Sequence, residues 1–181
     1  MFFIAKLHPN LTEYNDTNYK GSWLSKINKE NIINRFYKEK NNIPLCIDHR
    51  DIGKFGFVKY NNIVGNVIDL FNNKDGELMI KCKINNEHPS FPEITQGIFK
   101  KKEKWGVSVG LINNSDSKSL VHVALTTDPG FANHNTFLFK YSLTEDIINK
   151  VIAREYYNEN NKNTYATDEF RAKLKSIFVC F

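Results

Sequence analysis

The chain is poor in cysteine, proline and glycine, and it lacks any long apolar run. Its three cysteines, Cys46, Cys82 and Cys180, form no Cys-x-x-Cys pair. An odd, scattered set argues against a disulfide framework and for a reducing compartment. Five prolines and nine glycines are too few for a collagen-like chain. No stretch approaches the ~18 apolar residues of a membrane helix, so no membrane association is expected. The opening Met1–Leu7 is apolar. It lacks the basic flank and the length of a signal peptide, so an intracellular protein is expected. Charge of one sign is scarce too. Lys and Arg number 25 against 20 Asp and Glu, a net +5 with pI near 9.0. That is mild for a nucleic-acid binder. The densest basic run, Lys100, Lys101, Lys102 and Lys104, is broken by Glu103. It is read as a solvated helix end, with a nucleic-acid or acidic-partner patch as the alternative.

What is present points to one packed domain spanning residues 1–181. Hydrophobic residues make up 41% and aromatics 13%, with 14 Phe and 8 Tyr, too many for a disordered chain. Asparagine is abundant, at 24 residues. It recurs between apolar runs, where it serves turns and caps.

The apolar pattern predicts a strand over 2–7, then a helix over 23–40 capped by Ser22. Strand-like runs follow at Ile43–Asp48, Lys54–Tyr60, Ile63–Phe71 and Glu77–Ile84, separated by Asn-rich turns. In Leu78–Ile84 the second half, Lys81-Cys82-Lys83-Ile84, alternates charged and apolar, which suits a sheet with one face in the core and the lysines on the other. Ser90 and Pro92 suit the start of a short helix. Further strands are expected at Trp105–Ile112, Ser119–Thr126 and Thr136–Tyr141, and helices at Leu143–Tyr157 and Asp168–Phe178. This order suggests an α+β fold, a small and mostly antiparallel β-barrel surrounded by helices.

Five histidines are present, and two lie in or beside apolar strands. His49 closes Ile43-Pro44-Leu45-Cys46-Ile47-Asp48, and His122 lies within Leu120-Val121-His122-Val123-Ala124-Leu125. A histidine so placed needs a polar partner. Between them runs Trp105-Gly106-Val107-Ser108-Val109-Gly110-Leu111. The glycines flanking Ser108 permit close backbone approach and leave Ser108 room on its face of the strand. A serine beside a histidine can act as a nucleophile, because the imidazole removes its proton as attack begins. Read alone, Val107-Ser108-Val109 is a weak signal, better matched by a buried serine bonded to a neighbouring strand. Two other sites are weighed: a cysteine hydrolase using Cys46 or Cys82, and a zinc site from Cys46, His49, His122 and His134. No compact ligand pair supports the zinc site. Cys46 and His49, three apart in a strand, would point to opposite faces.

The order and surroundings of His49, Ser108 and His122 resemble the herpesvirus maturational proteases, the assemblin family. Ile43-Pro44-Leu45 before His49 is similar to that family's Leu-Pro-Leu strand. Val107-Ser108-Val109 is similar to its nucleophile strand, and His122-Val123-Ala124-Leu125 to its His-Val-Ala-Leu. Ile63-Val64-Gly65-Asn66-Val67 followed by Asp75-Gly76 resembles its Val-Val-Gly-His-Val and Asp-Gly text. The likeness runs over roughly residues 1–140. The family's Gly-Arg-Arg is absent. Asp128-Pro129-Gly130-Phe131-Ala132-Asn133 stands there instead, and it is also similar to the Pro-Ala-Asn region of tailed-phage prohead proteases.

The resemblance implies a serine endopeptidase with a Ser-His-His triad, Ser108 as nucleophile, His49 as base and His122 as its partner. Backbone N–H groups of Gly130 and Phe131 become the oxyanion-hole candidates. No cofactor and no metal are implied. The implied partners are a capsid scaffold protein, the enzyme's own precursor, and a second copy of the chain in a homodimer. Helices within residues 143–181 are the candidate dimer contact, with core packing as the alternative. The implied location is the host nucleus or the interior of an assembling procapsid. The other class of function is a non-enzymatic β-barrel associated with capsid or scaffold, or one that binds nucleic acid.

Overall fold

The computed structural model describes residues 1–8, 26–39, 42–50, 52–53, 57–73, 76–114, 117–129 and 138–156. The described elements in chain order are β1 (Phe2–His8), α1 (Lys26–Glu39), β2 (Pro44–Ile47), β3 (Ile63–Asn72), β4 (Leu78–Ile84), α2 (Phe91–Thr95), β5 (Gly106–Asn114), β6 (Ser117–Thr126), β7 (Leu138–Ser142) and α3 (Glu145–Tyr156). The fold is α+β, as expected. Seven strands form one mixed sheet in the order β5-β6-β2-β3-β4-β1-β7. All neighbours are antiparallel except β2 and β6, which run parallel. The sheet curls into a barrel-like shape. One bond links the two ends of this half-barrel: Leu138 N–H at the start of β7 donates to O of Trp105, the residue before β5, at 2.9 Å.

Two-residue periodicity decides which side chains enter the curl. Phe3, Ala5 and Leu7 of β1 point inward, with Leu78, Ile80, Cys82 and Ile84 of β4. Val107 of β5 and Val123 and Leu125 of β6 join them. α1 adds Ile32, Ile33 and Phe36 to this core, and the α2 segment adds Ile94 and Ile98. A second apolar layer lies on the outer face, where Ile4, Phe71 and Met79 meet Ile148 and Ile152 of α3. That layer changes the reading of β4. Lys81 alternates with apolar residues as a solvent-facing strand residue would, yet it is only 3% exposed. α3 covers it, and its ammonium donates to Glu145 Oε1 at 2.6 Å and to Asn149 Oδ1 at 2.7 Å. A lysine can be enclosed when its donors are satisfied in this way.

Two local expectations are corrected. The strand expected over Lys54–Tyr60 is absent from its described residues, 57–60. There the chain makes one isolated bridge, Ile52 to Val58, and enters a 3-10 turn at Tyr60–Asn62. Ser90 stands at the N-terminus of α2 but its side chain makes no cap bond. Its backbone is already helical, which turns the hydroxyl away from the free amides. α2 continues as a wider-wound turn, Gln96–Lys101, closed by Lys102 at φ 58°. Lys101, Lys102 and Lys104 are exposed there, as a solvated helix end. Ser22, the tail helix 168–178 and the loop 130–137 lie outside the described residues.

Candidate catalytic site

The site stands on the outer face of β5 and β6, the side away from the core. Val107 and Val123 face inward, so Ser108 and His122 face outward. Pairing in the β5–β6 ladder sets Ser108 opposite Ala124 and Gly110 opposite His122. His122 is therefore one pleat from Ser108 on the same face. β2 lies beside β6 in parallel, with Leu45 opposite Val123 and Ile47 opposite Leu125. The parallel run ends with Asp48 N–H donating to Leu125 O at 2.9 Å. The chain then turns through Asp48, His49 and Arg50. Asp48 takes a left-handed backbone at φ 49°. Aspartate is among the few residues that adopt it at modest cost. This turn brings His49 over the β5–β6 face.

The three side chains form a continuous relay. His49 Nε2 lies 2.9 Å from Ser108 Oγ, and His49 Nδ1 lies 3.0 Å from His122 Nε2. The imidazole rings are edge to face, 5.2 Å between centroids at 67°. The relay fixes the tautomers. When Ser108 donates to Nε2, His49 carries its proton on Nδ1 and donates it to His122 Nε2, which leaves His122 protonated on Nδ1. His122 is buried, whereas His49 is open to solvent on one side. Partial burial pushes His49 below its ordinary value of 6.5, and the Asp48 charge acts in the opposite direction. A neutral His49 with a serine on one nitrogen and a hydrogen-bond acceptor on the other can act as a general base toward that serine.

The residues beneath the turn hold it from two sides. Cys46 Sγ donates to Asp48 O at 3.0 Å and approaches Val123 O at 3.6 Å. Burial pushes its thiol up to about 12. That removes the thiolate that a cysteine hydrolase needs. Cys82 is fully enclosed, and the same cause raises its thiol well above its ordinary value. Asn62 donates from Nδ2 to Ile47 O at 3.2 Å and to Arg50 O at 2.6 Å. Arg50 pairs with Asp48 at 3.0 Å on the surface.

The structure thus brings His49, Ser108 and His122 together. Gly130, Phe131 and His134 lie outside the described residues. His88 is engaged elsewhere. Its Nδ1 accepts from Ser90 N–H at 3.1 Å, and its Nε2 faces Asn61 O at 3.3 Å. Among the described residues, no three His, Cys, Asp or Glu side chains converge as a metal site. Sequence reasoning overlooked Asn62, because one asparagine among many carries no signal. It also gave Gly110 the wrong beneficiary. The glycine leaves room for His122: a Cβ there would lie 2.0 Å from the ring's Cε1.

No family model, curated protein or solved structure matches this chain.

Proposed function

We propose that this chain is a serine endopeptidase of the assemblin kind, and the observation that carries the proposal is the Ser108–His49–His122 relay. Ser108 Oγ attacks the scissile carbonyl while His49 Nε2 takes its proton. His49 then returns that proton to the leaving amine, and a water repeats the cycle to release the acyl group. His122 holds the far nitrogen of His49, which fixes the tautomer and the ring direction. A neutral histidine stabilises the imidazolium less than a carboxylate does, so this triad is slower than one built on aspartate. Backbone N–H groups of Gly130 and Phe131 serve as oxyanion donors in this proposal.

The proposed substrates are a capsid scaffold protein and the enzyme's own precursor, cleaved inside an assembling particle. Two features support a reducing setting and a dimer. Cys46 and Cys82 are free and buried. Leu143, just before α3, and Ile147 in its first turn remain 63% and 48% exposed, while Ile148 and Ile152 of the helix are used in the core. The exposed pair is the proposed contact with a second copy.

A serine-directed phosphonate tests the reading. Mass spectrometry should place the adduct on Ser108, and His49→Ala should abolish it. A folded, dimeric sample that takes no label on Ser108 overturns the proposal in favour of a non-enzymatic capsid-associated domain.

A further inference from the structure

The relay depends on where the backbone holds His49, and that backbone is an irregular turn. Asp48 makes the last ladder bond, to Leu125 O. Beyond it, residues 48–50 lie outside any regular element. The carbonyls on either side of the Asp48–His49 pair, Ile47 O and Arg50 O, both accept from one group, the Asn62 amide at 3.2 and 2.6 Å. Asn62 is itself well anchored. It closes the 3-10 turn with its N–H on Lys59 O at 2.9 Å, and it precedes β3, whose Ile63 pairs with Cys46.

We infer that Asn62 is a positioning residue for His49, clamping the turn that presents the imidazole to Ser108 and His122. The inference deepens the protease reading and rests on it. A primary amide carries two N–H donors on one nitrogen, so it can bridge two carbonyls. Serine supplies one donor, aspartate none when ionised, and alanine none. Removing the amide frees both flanks of the turn, and a shift of about 1 Å at a reacting group costs roughly 10²-fold in rate. The clamp comes from the segment between His49 and Ile63. That segment therefore has a mechanical link to the relay. Among the described residues, the charged and titratable groups beside His49 are Asp48, Arg50 and His122, and Asn62 itself carries no charge.

The test compares Asn62→Ala and Asn62→Ser with the parent protein. Peptide cleavage gives kcat and KM separately, and the His49 ring resonances are titrated by NMR without substrate. For Asn62→Ala, kcat should fall about 10²-fold with KM little changed. The His49 titration midpoint should rise toward its ordinary value as the ring leaves its partly enclosed position. Asn62→Ser, with one donor, should fall between, and it carries the test if the alanine variant fails to fold. A His49 titration and kcat equal to the parent's in the folded variants would overturn the inference. A parent that cleaves nothing, with a His49 titration that still moves in the variants, overturns the protease reading and leaves the clamp standing.

Discussion

His122 lies with its imidazole flat against the backbone of Gly110, its cross-strand partner. A Cβ built on Gly110 would stand 2.0 Å from Cε1 and 2.3 Å from each ring nitrogen. Only glycine fits beneath that ring.

Gly110→Ala should therefore act as a lesion of His122. The added methyl drives the ring out of line with His49. Losing the third triad member's orientation costs up to about 10⁴-fold where that member is a carboxylate. A neutral histidine contributes less, so about 10²–10³-fold in kcat is expected here. His122→Ala should cost a similar factor, and the double variant no more than either, because both remove one interaction. Overpacking should also lower stability by about 1–3 kcal/mol. Steady-state cleavage of a peptide substrate and chemical denaturation measure the two effects. Full additivity in kcat would sink the assignment.

The pH profile follows from His49. Burial lowers its proton affinity, so it stays neutral to below its ordinary 6.5. The proposed mechanism needs that neutral form. Activity should fall as the pH drops below 6.5. The sign for stability is the same. The unfolded chain takes up the proton first, so this group's contribution declines as pH falls below 6.5. A kcat/KM profile reads the ionisation in the free enzyme.

Cys46 supports the turn through its contacts with Asp48 O and Val123 O. Cys46→Ala should leave phosphonate labelling of Ser108 intact. It should cost about 1–2 kcal/mol through its lost contacts, a common size for a buried truncation. In the native protein, iodoacetamide at pH 8 should leave Cys46 unmodified, since burial holds the thiol near 12. Rapid alkylation with loss of activity would contradict this.

Asp69 makes a separate, stability-linked prediction. It is 5% exposed on β3, held by the Tyr37 hydroxyl and by Leu70 N–H at 2.9 Å. Burial raises its carboxyl from 3.8 to about 6, against the Tyr37 bond, the Lys81 charge and the Leu70 N–H. Here the folded state binds the proton more tightly. Stability should therefore fall as pH rises from about 4 to 6, by on the order of 3 kcal/mol. Asp69→Asn keeps an acceptor for Tyr37 and should flatten that slope in urea titrations at several pH values. An unchanged slope would assign it to other groups.

Much of the fold was legible because its signals are local. Alternation in Leu78–Ile84 and the apolar text of Ser119–Thr126 marked strands within a few residues of their observed limits. Lys54–Tyr60 misled because aromatic and β-branched residues favour strands only where a partner edge exists. Segment 57–60 has none beyond the single bridge at Val58. Lys81 misled because α3, more than sixty residues later in the chain, covers its face of the sheet.

The sequence by itself determined the parts: an apolar strand before His49, a serine between glycines, and a histidine inside a strand. Those are consequences of residue type and two-residue period, and they need no partner to be read. Only the tertiary structure decided that the parts meet. The parallel seating of β2 on β6, the antiparallel β5–β6 register and the left-handed turn at Asp48 are all non-local or backbone-level choices. They are settled by burying one shared core on the inner face. The same burial leaves Ser108, His49 and His122 together on the outer face.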